Sequence, residues 1–373
     1  MNYSKLLFFL LLFPFLGCSE STADEGGSDT SSTKRPVDIE VDADSDLQEA
    51  PRTFTNPIQQ MGADPWMIQF EGRYFYSESN GGSKIFVKEI PGITKLSHPI
   101  RREDVSIFSP NQSDPTYRYA IWGPHLNFVQ GRWYIYYCGE TTPDKSFKSQ
   151  RMFVMGSTTD SPFGPYEDLG EVLGSNDTEW AIDGSVIERA NGDLYFVWSG
   201  IENVNVSGAQ STYIAKMISP TRIDRTTITQ ISRATEVWEK SYFPIQEGQR
   251  PLVVDKNGKT IIMYSANASW TDSYCLASLT NVTGDYLNPK AWRKSPKPLF
   301  ARTPNVFGPG GASYVKSPDG TEDWIIYHSA RKSNSKWYRK INAQPFGWNA
   351  DGSPNFGTPA HPDEALAVPS GEE

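Results

Sequence analysis

One short pattern returns five times along this 373-residue chain and limits the folds open to it. An apolar run leads into a tight turn that closes on glycine, and an aromatic-rich run follows. The copies are Trp66 to Tyr76 around Gly72, His125 to Tyr137 around Gly131, Ser185 to Ser199 around Gly192, Pro251 to Ser265 around Gly258, and Ala312 to Ser329 around Gly320. The glycines are 59, 61, 66 and 62 residues apart. Asn191-Gly192, Asn257-Gly258 and Asp319-Gly320 are strong hairpin signals, because Asn or Asp followed by Gly accepts the positive φ of a type I′ turn. Each interval has room for two further strands, and four strands per ~60 residues is the period of a propeller blade. Helical periodicity is nearly absent, and a pair of all-β sandwiches would not space five hairpins so evenly. The expected fold is therefore all-β, a single five-bladed β-propeller over residues 53–358. One such domain accounts for the length better than the two or three that ~150 residues per domain would give.

The flanking segments read differently. Leu6 to Leu16 is the one long apolar run, too short for the ~20 residues that span a bilayer, so a multi-pass membrane protein is excluded. With Lys5 before it and Gly17 after it, residues 1–17 read as a secretory signal. Phe15-Leu16-Gly17-Cys18 resembles the lipobox of bacterial lipoproteins, which implies lipidation of Cys18 and a membrane attachment by lipid anchor alone. The net charge of −9 is concentrated just beyond: residues 19–50 hold ten acids against Lys34 and Arg35. Residues 18–52 thus read as a lipidated cysteine with a disordered acidic linker, similar to the export signals of surface lipoproteins, and residues 359–373 as a C-terminal tail. No basic face invites nucleic acid. Cys138 and Cys275 lie in apolar strand-like runs and are expected to be buried free thiols; no Cys-x-x-Cys pair suggests zinc or redox chemistry.

Aromatic residues make up 13% of the chain, including 11 Trp, which suits the binding of flat sugar rings. In a propeller the innermost strands line the axis, so residues 8 to 11 positions before each hairpin glycine should converge on one cavity. Blade I supplies Asp64 there, blade III Asp183 and blade IV Glu247; blade II offers Trp122 and His125, and blade V Gly310 and Gly311. Singly, each acid could be a turn or loop carboxylate. Three at matching places in a repeat point instead to a shared site, where one carboxyl protonates a leaving oxygen and another activates water or attacks.

At these residues the chain resembles glycoside hydrolase family 43, five-bladed propellers that cleave α-L-arabinofuranosides and β-D-xylosides with inversion. The resemblance runs from about Asn56 to Phe356. It rests on Ala63-Asp64-Pro65-Trp66, Ile121-Trp122-Gly123-Pro124, Ser161-Pro162-Phe163-Gly164-Pro165-Tyr166, Ile182-Asp183-Gly184-Ser185, Glu247-Gly248, Tyr264-Ser265-Ala266, Gly308-Pro309-Gly310, Tyr327-His328, and Trp348 to Pro354. The stretch from Tyr274 to Phe300 is similar to the branch of exo-acting α-L-arabinofuranosidases. The resemblance implies that Asp64 is the general base, Glu247 the general acid, and Asp183 the residue that orients Glu247 and raises its pKa. It implies that base and acid lie about 6.5–9.5 Å apart. Arg339 matches a family arginine that would bind the sugar or steady Asp183, while Trp122, Trp270 and His125 are candidate sugar contacts.

Two departures stand out. Gln249 and Arg250 separate Glu247-Gly248 from Pro251 where the family has proline directly, so a longer acid loop is expected. Gly311 stands where the family has a histidine that helps to hold an ion at the propeller centre; no cofactor or metal is expected, and His328 reads as a packed strand histidine. The reading is an exo-acting, inverting α-L-arabinofuranosidase outside the cell, acting on polysaccharide or oligosaccharide. A β-xylosidase or galactan-directed hydrolase, and a catalytically silent glycan-binding propeller, stay open as alternatives. A closed propeller leaves little free strand edge, so a monomer is expected.

Overall fold

The structure, a computed structural model, describes residues 52–373 apart from 80–83, 97–104, 109–117, 144–145, 175–178, 202, 204–207 and 255–258. The leader, Cys18, the acidic linker and the Asn257-Gly258 turn lie outside the described residues.

Five antiparallel sheets follow one another along the chain, each built from strands consecutive in sequence. Blade I comprises Ala63–Phe70, Arg73–Ser79, Ile85–Ile90 and Val105–Phe108; blade II Tyr119–Val129, Arg132–Glu140, Gln150–Ser157 and Tyr166–Glu171. Blade III contains Trp180–Glu188, Leu194–Ile201, Ser211–Ser219 and Arg222–Ile223, with Thr229–Arg233 pairing beside the third strand. Blade IV comprises Gln246–Val254, Thr260–Ala266, Cys275–Asn281 and Trp292–Lys294; blade V Phe307–Lys316, Asp323–Ala330, Arg339–Trp348 and Pro354–Asn355. This is the expected five-bladed propeller.

A sheet must bury both faces when it is stacked between others, and each blade does so against its two neighbours. Trp133 and Phe153 pack on Phe75 between blades I and II. Phe196 and Trp198 meet Tyr136 and Met152 between II and III, and Val197 and Ile214 face Tyr264 and Ala277 between III and IV. Met263 and Leu276 face Ile325 and Tyr327 between IV and V. The last core, Trp324 and Ile341 against Met67 and Tyr76, joins V to I and closes the ring. The segment before blade I fastens the same seam: Gln59 bridges Ile341, and Asn56 donates from Nδ2 to Ala343 O at 2.8 Å while its Oδ1 accepts from the Ala343 amide at 2.9 Å. Residues after 358 fold back onto it, Leu366–Ala367 pairing with Thr53–Phe54.

The hairpin turns differ from expectation in type. The two-residue type I′ loops are Glu71-Gly72 (φ 50° and 75°) and Gln130-Gly131 (φ 47° and 83°), joining Phe70 to Arg73 and Val129 to Arg132. At Asn191-Gly192 only the glycine has positive φ, and Arg189 N donates to Asp193 O across a longer loop. Asp319-Gly320 is likewise the end of a wider turn, with Asp319 Oδ1 accepting from Ser317 Oγ and the Thr321 amide. The Asn and Asp side chains are used to cap their own loops rather than to adopt the left-handed region. Cys138 and Cys275 are buried and form no disulfide among the described residues.

Candidate active site

At one level of the ring every innermost strand carries a bulge, with two residues facing one on its partner. The pairing jumps between Ala63 and Trp66, Trp122 and His125, Ile182 and Ser185, Glu247 and Arg250, and Gly310 and Ser313. The first bulged residue is left-handed in all five blades: Asp64 (φ 52°), Gly123 (51°), Asp183 (56°), Gly248 (66°) and Gly311 (54°). Glycine adopts this without penalty, whereas a side chain costs up to about 1–2 kcal/mol there, least for Asp and Asn. The two blades that carry aspartate at this level accept that strain to aim a carboxylate at the axis.

Asp64 and Asp183 therefore occupy equivalent positions, as expected. Glu247 does not: it stands one residue earlier, in register with Ala63, Trp122, Ile182 and Gly310, and the blade IV equivalent of the aspartates is Gly248. The anticipated long acid loop is also absent. Glu247, Gly248, Gln249 and Arg250 all belong to the strand Gln246–Val254, and the bulge absorbs the extra length.

The carboxylates still meet. Gly248 N donates to Asp183 Oδ2 at 2.9 Å, and the bare backbone of Gly311 lies where a Cβ would be 3.3 Å from Asp64 Oδ1. Their proton affinities are graded. For Asp64, burial works to raise the pKa, but Arg339, the Ser79 hydroxyl and Arg250 prevail and hold it below the usual aspartate value. Asp183 is pushed up to about 6 by burial and by Asp64, against the opposing charge of Arg250 and the Gly248 amide. Glu247 is pushed up to about 8, by burial first and by Asp183 second, while Tyr274 Oη, donating to its Oε1 at 2.9 Å, pulls the other way. At neutral pH this places a proton on Glu247 and leaves Asp64 ionised.

Arg339 is buried and its Nη1 lies 3.5 Å from Asp64 Oδ1, with Nη2 donating to Ser269 O at 3.4 Å. It thus braces Asp64 directly, rather than Asp183. His328 is fully buried, and its Nδ1 accepts from the Asp64 amide at 3.1 Å. Burial and Arg339 lower its pKa to about 3, so it is a neutral imidazole that fixes the strained Asp64 backbone. His125 is also fully buried, stacked on Trp66 with ring centroids 4.3 Å apart, and its Nδ1 lies 3.0 Å from Gly184 O. It offers no face for a sugar, contrary to its reading as a contact. Trp122 shares the register of Glu247 and leans on Phe147 (5.0 Å). Trp270 lies beside Ser269 and packs on exposed Trp337 (5.4 Å) and Tyr242 (6.5 Å).

Tyr274, Arg250, Trp337 and Tyr242 escaped the sequence reading. Arg250 acts across blades, Tyr274 precedes a blade IV strand outside the hairpin repeat, and the exposed aromatics fall in irregular segments where the repeat gives no register. The position at which the family's ion-holding histidine is expected carries no side chain here. Gly311 supplies no ligand, a Cβ there would come 2.5 Å from His328 Cε1, and among the described residues no group of three His, Cys, Asp or Glu side chains could hold a metal.

A five-bladed propeller whose inner strands gather buried carboxyls from three blades around the axis defines a class of propeller with a carboxyl-lined centre. The chain belongs to glycosyl hydrolases family 43, whose sequence model matches residues 54–354. It is 30% identical over 320 residues to an extracellular exo-α-(1→5)-L-arabinofuranosidase of Streptomyces avermitilis, covering 82% of this chain and 64% of that protein. To α-L-arabinofuranosidase B of Pyricularia oryzae it is 29% identical over 328 residues, 84% of this chain and 65% of the relative. The chain thus spans just under two thirds of the length of both curated relatives. Among solved structures, an α-L-arabinofuranosidase from Lactobacillus brevis superposes with a TM-score of 0.74 at 26% identity, covering 83% of this chain and 98% of that one.

Proposed function

We propose that this protein is an inverting glycoside hydrolase that releases terminal α-L-arabinofuranosyl residues from polysaccharides or oligosaccharides. The observation that carries the reading is the graded trio of buried carboxyls, with the proton on Glu247 and the charge on Asp64. Asp64 takes a proton from a water, whose oxygen attacks the anomeric carbon as the glycosidic bond breaks. Glu247 delivers its proton to the departing oxygen, so one water is consumed and the two carboxyls exchange protonation states. Asp183 keeps Glu247 protonated through like charge and holds the backbone beside it through Gly248. Arg339 keeps the base ionised, and Trp122, Trp270 and Trp337 serve as sugar platforms.

The relatives named as arabinofuranosidases favour that sugar, and the word extracellular in the name of one agrees with a location outside the cytoplasm. Residues 1–17 as a signal, lipidation at Cys18, a tether over 18–52 and a monomeric catalytic domain from 53 complete the proposal. The test is product release from α-L-arabinofuranosyl, β-D-xylosyl and β-D-galactosyl substrates, with Glu247→Gln alongside. Free arabinose from the wild type and not from the variant supports the reading. Xylose or galactose alone moves the substrate to another of the family's sugars, and binding with no turnover makes the protein a glycan-binding propeller.

A further inference from the structure

One layer below the bulges, the five inner strands contribute Trp66, His125, Ser185, Arg250 and Ser313, the residues at which regular pairing resumes. Arg250 is the one charged member and is 2% exposed. It starts from blade IV but its guanidinium lies over the Trp66 ring of blade I, 5.0 Å from the centroid. Its Nη1 donates to Gln249 O at 2.9 Å, a carbonyl that Ser185 Oγ of blade III also reaches at 2.8 Å. Its Nε has no hydrogen-bond partner among the described residues. A guanidinium rooted in one blade and resting on an aromatic face of another spans the axis. The titratable groups around it are Asp64 of blade I, His125 of II, Asp183 of III, Tyr274 of IV, and Tyr314, His328 and Arg339 of V, with Glu247 on its own strand.

We infer that Arg250 is a positioning residue, a fixed cation built into the axis that serves as counter-charge to Asp64 and Asp183 and so keeps the catalytic proton on Glu247. This deepens the hydrolase reading and rests on it. An arginine stays protonated even where burial disfavours its charge, and a full charge buried in the ring acts over several ångströms with little screening. His125 and His328, both neutral and buried, do not compete with it. Its effect falls on the two aspartates, lowering both.

The experiment compares wild type, Arg250→Met and Arg250→Lys in two readouts. In the pH profile of kcat/KM, Met should move the acidic limb up by about one unit, roughly a tenfold loss at a fixed pH below it, while Lys leaves the limb near its wild-type position. In thermal unfolding, which needs no activity, the loss caused by Met should grow from pH 5 to pH 8, since the aspartates whose pKa it raises destabilise the fold as they ionise. A Met variant that folds only at pH 5 would count for the proposal. A loss of equal size at every pH, an unmoved limb, or a Lys variant as impaired as Met would overturn it. A wild type without turnover would sink the hydrolase reading and leave the unfolding test of Arg250 standing.

Discussion

The amide of Gly248 donates to Asp183 Oδ2 at 2.9 Å, tying the residue that follows Glu247 to a carboxylate of the neighbouring blade. The bond places an ionisable group of blade III beside the acid of blade IV. Burial lifts Glu247 and Asp183 lifts it further, which yields an acid still protonated at neutral pH.

The basic limb of the pH profile should accordingly reflect Glu247 and fall near pH 8. Tyr274 donates to Glu247 and lowers its pKa, so Tyr274→Phe should move that limb upward by roughly half a unit to one unit. Profiles of kcat/KM from pH 4 to pH 10 check both; a limb that moves down would rule out the hydrogen bond as the tuning contact.

Asp64→Asn and Glu247→Gln should each lower turnover by about 10²- to 10⁴-fold or more without unfolding the chain. A variant that keeps more than about a tenth of wild-type activity removes its residue from the catalytic set.

Glu247→Gln should also stabilise the fold in a pH-dependent way. The folded pKa of Glu247 is raised above its unfolded value, so its favourable contribution is complete below the unfolded pKa near 4.5 and is lost as pH rises towards about 8. A neutral amide escapes that loss. The variant should melt with the wild type at pH 4 and a few degrees higher, on the order of 2–4 °C or more, at pH 8. Identical melting at both pH values would show that the buried carboxyl carries no such strain.

Gly311 leaves no room for a side chain unless His328 shifts. Its φ is 54°, and a Cβ would lie 2.5 Å from His328 Cε1 and 2.8 Å from its Nδ1, the atom that accepts from the Asp64 amide. Gly311→Ala should cost about 1–2 kcal/mol from backbone strain alone and lower kcat by displacing His328 and with it Asp64. Thermal unfolding and initial rates measure the two losses, and a wild-type rate in a stable variant would separate His328 from the base.

Trp337 is 53% exposed and packs at a tilt against Trp270, the neighbour of Ser269 whose carbonyl binds Arg339. Trp337→Ala should raise KM for an oligosaccharide several-fold while leaving kcat on a small aryl glycoside near its wild-type value. Equal effects on both substrates would place the ring inside the reacting subsite.

Much of this was legible in the amino-acid order. Strand, turn and aromatic run recur with a period close to 60 residues, and only a ring of like blades satisfies five such units, because each sheet must bury two faces. Asp64 and Asp183 fall at matching places in that repeat, and the motifs around Glu247 complete the trio. What the tertiary structure decided are the relations between blades. Local order cannot say that a bulge draws Gln249 and Arg250 into a strand, since that register depends on the partner strand Thr260–Ala266. Nor can it say that Arg250 crosses the axis to Trp66, that His328 holds Asp64, or that His125 is sealed beneath the site. Those contacts join residues far apart in the chain, and the proton affinities that follow from them are set by burial and charge together, which exist only once the ring has closed.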